Sequence, residues 1–258
     1  MLHRGIDLPA GYRLAFFDSI DSTNAEGLRQ AMRGEDSGLW IWAGEQHSGR
    51  GRAGRTWISR PGSLYVSLVL RPHVPLATAL QLSLLAGVAA HDAVLSLAAG
   101  SGVRAEVRLK WPNDILAGSA KLGGILLESA GTGRDEAPVV VIGTGLNLGH
   151  APEDLGRPAA SLHDFGIAAS GREAFAALAW TTAEWLARWN EGLGFETIRG
   201  AWQTRAQALG APISVRLGGD LLTGTFLGID EGGALRLAVA DGDERRVTAG
   251  DVTLGAEV

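Results

Sequence analysis

Near Arg205 the residue pattern changes character, and a single layer scheme cannot accommodate both sides of the change. Upstream, runs with strand and helix periodicity alternate. Downstream, short β-like runs are broken by Gly-Gly, Ile-Asp-Glu-Gly-Gly and Asp-Gly-Asp turns, with Pro212 at the entrance. This predicts an α+β unit over residues 1–206 and a small all-β barrel over residues 207–258. A length of 258 residues suits one large domain with one small one.

The upstream pattern reads as a mixed sheet with packed helices. Residues 14–18 form a short apolar and aromatic run, followed by Ser22, Thr23, Asn24 and Glu26, the signature of a strand entering a capped helix in which Thr23 and Glu26 could make a capping box. Residues 39–43 read as a strand, and residues 45–60 as a loop without periodicity. Over 63–70, Leu64, Val66, Leu68 and Leu70 alternate with Tyr65, Ser67 and Val69, the period of a strand. One long helix is expected over 76–99, strands over 103–110, 121–128 and 138–148, and an alanine-rich helix over 172–189.

Composition removes several classes of function. Lys and Arg number 23 against 28 Asp and Glu, a net charge of -5, so no overall field draws in nucleic acid or an anionic membrane. The absence of cysteine excludes disulfides, a thiolate nucleophile and a Cys-based zinc site, and permits a cytoplasmic location. Residues 1–11 show no secretory signal. The apolar stretch 76–99 is interrupted by Gln81, His91 and Asp92, which predicts a packed helix and no membrane span.

The sharpest local feature is Gly49-Arg50-Gly51-Arg52-Ala53-Gly54-Arg55-Thr56-Trp57. It satisfies the dinucleotide fingerprint by letter, but a loop and then a strand follow where that fingerprint needs a helix. What remains is a backbone able to fold over a ligand, guanidinium forks suited to phosphate oxygens, and an aromatic that could pack on a ring. A solvated basic turn or a single-strand nucleic-acid contact fits the same residues.

Further on, Lys110-Trp111-Pro112-Asn113-Asp114 precedes Lys121-Leu122-Gly123-Gly124-Ile125. A lysine beside a buried strand and two glycines can bring an ammonium to a carboxylate and a phosphate, whereas an isolated strand-end lysine would simply reach solvent. Asp114 gains interest because Lys121 follows at hairpin distance. In Gly143-Thr144-Gly145-Leu146-Asn147 one amide sits among apolar neighbours and needs hydrogen bonds, from backbone or from ligand. Ser22, Thr23 and Asn24 alone read as a helix cap ahead of a ligand clamp.

These four segments, in this order, resemble the biotin–protein ligases, a family related to lipoate ligases and octanoyl transferases. The resemblance implies a class II synthetase-like catalytic domain, with Pro212-Ile213-Ser214-Val215 and residues 226–237 in an SH3-like C-terminal cap. It implies that Ser22, Thr23, Asn24, Gln46, Arg50, Gly51, Arg52, Lys121 and Gly124 hold biotin. Arg50, Arg52, Gly54, Trp57, Lys121 and Asn147 would hold the nucleotide, and Lys121, Arg52 and Asp114 would carry the catalysis.

ATP and biotin are the implied substrates, with Mg2+ carried by ATP oxygens and no dedicated protein metal site. The implied partner is the biotin carboxyl carrier domain of an acyl-CoA carboxylase, and a homodimer is compatible with the resemblance. With Ser22 so near the start, a monofunctional member without the N-terminal DNA-binding domain is expected, acting in the cytoplasm without DNA or membrane. The competing readings are a lipoate or octanoate ligase of the same fold and a non-enzymatic binding module.

Overall fold

The computed structural model describes residues 5–131, 137–152 and 157–255, so the outermost residues of both expected units lie outside the described residues. Strand β1 (Arg13–Ile20) leads through helix α1 (Thr23–Met32) to β2 (Leu39–Gln46), which pairs with β1 in parallel. β3 (Leu64–Leu70), β4 (Val107–Lys110), β5 (Asp114–Ala117), β6 (Ala120–Ala130) and β7 (Val139–Leu146) complete a mixed sheet in the order β1-β2-β3-β7-β6-β5-β4.

Both faces of this sheet are covered. On one face lie α3 (Leu82–Gly100) and α4 (Gly171–Trp189), which pack on each other. There Trp40 and Trp42, two residues apart on β2 and so on the same side, meet Phe175 of α4: Trp42 stacks on it at 5.3 Å and Trp40 meets it edge-on at 5.5 Å. Each such ring pair adds about 1 kcal/mol beyond its burial. On the other face α1 sits over Ile41, Val69 and Val141, so close that a Cβ on Gly27 would lie 2.8 Å from a Val141 methyl.

The C-terminal part contains β8 (Pro212–Leu217), β9 (Asp220–Ile229), β10 (Leu235–Val239), β11 (Glu244–Val247) and β12 (Asp251–Leu254), an antiparallel sheet ordered β11-β10-β9-β8-β12. Its buried Ile213, Val215, Phe226, Leu235 and Leu237 join the main core. Helix α5 (Phe195–Thr204) bridges the two sheets, with Trp202 edge-on to Phe226 at 6.4 Å. The linker also pairs with β4: Leu109 N donates to Arg205 O at 2.8 Å, and Gln207 N to Leu109 O at 2.7 Å.

The structure departs from the sequence expectations in four places. The cap of α1 is Ser22, whose hydroxyl accepts from Ala25 N, while Glu26 turns to Arg29 and Gln30. Thr23 is no cap because its hydroxyl is drawn away to Gln46 and Ser67; the true capping box belongs to α4, between Ser170 and Glu173. The helix expected over 76–99 breaks at Leu80 and Gln81 into a short α2 (Leu76–Ala79) and α3. Together they are long and apolar enough to cross a bilayer, yet Leu82, Leu85, Val88, Ala89 and Ala93 are packed in the core. Finally, β5 and α5 are absent from the expectations: four residues are too few to show a period, and α5 follows directly on the turn that ends α4.

Candidate active site

The register of the central strands places a row of small residues on one sheet face. Tyr65 stands opposite Gly145, Gly145 opposite Gly124, and Gly124 opposite Asp114, with Gly143 two residues along β7 on the same side. Neighbours occupy the space that side chains would fill. A Cβ on Gly143 would lie 2.3 Å from Asn24 Oδ1, one on Gly145 2.8 Å from the Trp57 indole, and one on Gly124 3.1 Å from Lys121 Nζ. Above this floor is a cavity of about 830 Å³, walled by the β1–α1 junction, the Arg/Gly loop, β4 to β6 and the strand Asp251–Leu254.

One end of the cavity is neutral and hydrogen-bonded. Gln46 Oε1 accepts from Thr23 N at 2.8 Å and from Thr23 Oγ1 at 3.0 Å, and its Nε2 donates to Ser59 Oγ at 2.7 Å. Ser67 Oγ donates to Asn24 Oδ1 at 2.6 Å and lies 2.7 Å from Thr23 Oγ1. Asn24 Nδ2 donates to Leu126 O at 3.1 Å and to Glu128 Oε2 at 2.8 Å. Apart from the Glu128 carboxylate bonded to Asn24, the set consists of uncharged donors and acceptors with little freedom left in any of them.

The other end is cationic. Lys121 is buried and bonded to Asp114, itself buried, while Lys110 Nζ and an Arg157 nitrogen stand 3.4 and 3.5 Å from the other carboxylate oxygen. Three cations therefore share one carboxylate, leaving an uncompensated positive charge in a partly dry site. Burial works to raise the Asp114 pKa, but the charges of Lys121 and Lys110 and the hydrogen bond from Lys121 outweigh it and hold the value below the ordinary carboxylate range. For Lys121 burial prevails over Asp114 and lowers its pKa.

The Arg/Gly loop closes the cavity. Its ends are pinned by bridges between Gln46 and Ser59 and between Arg50 and Thr56, and its tip is a short turn with Ala53 at φ 53° and Gly54 at φ 72°. Ala53 accepts a left-handed conformation that costs a non-glycine residue about 1 kcal/mol. Trp57 lies flat on Gly145 with the Lys121 ammonium 5.2 Å from its ring centre, a cation–π contact. Arg52 reaches Asn113 Oδ1 at 3.4 Å and Gly250 O at 3.3 Å, and Arg55 pairs with Asp251 at 2.7 Å, so the C-terminal sheet holds the loop from outside.

The structure brings Ser22, Thr23, Asn24, Gln46, Arg50, Gly51, Arg52, Trp57, Asp114, Lys121, Gly124 and Asn147 to one cavity; Gly54 stands outside its lining and serves the turn. Asn147 is satisfied by backbone, donating to Ala160 O at 2.9 Å and Lys121 O at 3.4 Å, and so fixes the segment that carries the lysine. Sequence reasoning missed Arg157, Lys110, Ser67, Glu128 and Asp251–Leu254. Only Lys110 carried a local signal, standing directly before Trp111-Pro112-Asn113-Asp114; the others meet the site through tertiary contacts.

Comparison with known proteins agrees with this geometry. Residues 16–147 match the biotin/lipoate A/B protein ligase family, and residues 208–255 the biotin protein ligase C-terminal domain. The chain is 43% identical to the biotin–[acetyl-CoA-carboxylase] ligase of Paracoccus denitrificans, over 84% of this chain and 90% of that protein. It is 38% identical to the corresponding ligase of Mycobacterium tuberculosis, over 90% of this chain and 85% of that one. The biotin protein ligase of Aquifex aeolicus in complex with biotin and ATP superposes with a TM-score of 0.77 at 26% identity, covering 95% of this chain and 99% of the other. A glycine-floored cavity with a neutral end and a cationic end, together with matches at this level along nearly the whole chain, establishes that it belongs to the biotin protein ligases of the biotin/lipoate A/B protein ligase family.

Proposed function

We propose that the chain joins biotin to a lysine of a biotin carboxyl carrier domain in two ATP-dependent steps. The observation that carries this reading is the polarity of this cavity: hydroxyl and amide groups of Thr23, Gln46 and Asn24 at one end, Lys121, Lys110, Arg157 and Arg52 at the other. A ureido ring needs neutral donors and acceptors, and a carboxylate meeting a triphosphate needs cations.

In the first step a biotin carboxylate oxygen forms a bond to the α-phosphorus of ATP as the bond to the β-phosphate oxygen breaks, giving biotinyl-5'-AMP and pyrophosphate. Lys121 and Arg52 are placed to stabilise the charge that gathers on phosphate oxygens in the transition state, and Asp114 orients Lys121. In the second step the ε-amine of the carrier lysine attacks the acyl carbon, the acyl–phosphate bond breaks, AMP leaves and the amine gives up a proton. The closed Arg/Gly loop excludes water, which would otherwise hydrolyse the mixed anhydride.

In this reading Mg2+ is carried by the substrate. Among the described residues no three His, Asp or Glu gather, and Asp114 is already engaged by cations, so Mg2+ belongs with the triphosphate oxygens. The reading is completed by action in the cytoplasm without DNA, supported by the acidic balance; a homodimer is compatible with it, and sedimentation tests that point.

The function is tested by pyrophosphate release from ATP with biotin, lipoate or octanoate supplied separately, followed by addition of a carrier domain. Biotin-selective release with carrier labelling is expected. Release with another acid would reassign the chain to a sister activity, and none with any acid would leave a binding module.

A further inference from the structure

We infer that Glu128 is a positioning residue that latches the Arg/Gly loop over the cavity; what the latch retains, the adenylate, rests on the function proposed above. Glu128 lies on β6 opposite Val141, two and four residues along from Leu126 and Gly124 on the cavity face. Its carboxylate is divided between two partners. Oε2 accepts from Asn24 Nδ2 at 2.8 Å, and Oε1 accepts from Arg50 at 3.3 Å.

The two partners differ in how firmly they are held. Asn24 is buried, also donates to Leu126 O at 3.1 Å, accepts from Ser67 at 2.6 Å, and sits against Gly143, where a Cβ would lie 2.3 Å away. Arg50 is half-exposed and belongs to the loop itself. Glu128 is therefore a post, fixed from the α1 side, to which a loop cation is tethered. One N–H of Arg50 is spent on this tether, and the rest of its fork remains for the cavity that it lines. The neutral end of the cavity and its cover are thus joined by a single carboxylate.

Glu128→Gln separates the two halves of this arrangement. The amide oxygen still accepts from Asn24, while the amide nitrogen faces Arg50 with no charge to attract it. Two readouts are followed beside thermal melting. The first is hydrogen exchange in the ligand-free protein at the Gly51 and Trp57 amides, which donate to Arg55 O and Gly49 O inside the loop. The second is escape of preformed biotinyl-5'-AMP in a chase, read against the KM for biotin.

Both exchange and escape should rise roughly two- to fivefold, as befits a partly exposed ion pair, a larger change than any in KM, with the melting temperature unchanged. In an Arg50→Gln background the same substitution should add nothing. The inference is overturned if Glu128→Gln exchanges and retains like the parent protein, or if its effect persists undiminished in the Arg50→Gln background, which would place its role at Asn24 alone. Should the parent protein make no adenylate from biotin, the proposed function fails, and the exchange measurement still decides the latch.

Discussion

Replacing Asp114 by Asn removes one charge from a cluster of four while conserving shape and an acceptor for Lys121. Asp114 and Lys121 are 7% and 8% exposed, whereas the Lys110 and Arg157 side chains are 20% and 40% exposed and better screened. Most of the loss therefore falls on Lys121. Deleting one partner of a buried pair costs about 3–5 kcal/mol. Because Asn keeps the hydrogen bond, the lower end of that range, about 3 kcal/mol, is expected, equivalent to a melting temperature lower by roughly 6–12 °C in a chain of this size.

The dependence on pH distinguishes this account from a packing defect. Asp114 has a folded pKa held below its unfolded one by Lys121 and Lys110 against the opposing pull of burial. Its contribution is fully present above the unfolded carboxylate value and is lost as pH falls through the folded value. Lys121 has a folded pKa depressed by burial, so the unfolded chain binds more protons between the two lysine values and stability rises as pH climbs through that window. Without Asp114 the lysine value drops further, and the deficit of the variant should shrink as pH is raised from about 7 towards the lysine range. Urea unfolding followed by tryptophan fluorescence at several pH values measures this. An unchanged midpoint at neutral pH, or a deficit that stays constant across the range, would refute the reasoning.

Three other outcomes follow from the same geometry. Lys121→Ala should lower adenylate formation by about two to three orders of magnitude, read as pyrophosphate release; near-normal turnover would remove Lys121 from the chemistry. Arg52→Ala should hasten escape of the adenylate more than it raises the KM for ATP, since Arg52 also ties the loop to Asn113 and Gly250; equal retention in a chase would contradict this. Gly145→Ala should push Trp57 off the floor, because its Cβ would lie 2.8 Å from the indole. A shifted Trp emission and about 1–3 kcal/mol of lost stability are expected, and an unchanged spectrum with full activity would show that the ring does not depend on the bare backbone.

What could be read from the sequence was the part of the site whose chemistry is local. Glycines, arginines and lysines in short motifs declared a cationic end, and Lys121 and Asp114 were adjacent enough to suggest a pair. Thr23 was misread as half of a capping box because the groups that claim its hydroxyl, on Gln46 and Ser67, are 23 and 44 residues away. The contribution of Gly250 lies 198 residues from Arg52 and had no local trace. Helix 76–99 looked continuous because Leu80 and Gln81 keep helical backbone angles, and only the hydrogen bonds lapse there to the tighter three-residue spacing. The sheet was legible as strands but not as an order, since the position of β7 between β3 and β6 depends on long-range pairing.

The floor of main chain formed by Gly124, Gly143 and Gly145 has a consequence for how such a protein can change. Side-chain walls can be trimmed, but these three positions have no side chain to trim. Every substitution at these positions adds atoms, so mutation of the three glycines can make the chamber shallower and never deeper. Acceptance of a bulkier acid would have to arise at the side chains that line the chamber, among them Tyr65, Trp57, Leu126 and the Arg/Gly loop, and selection for a new substrate should leave its record there.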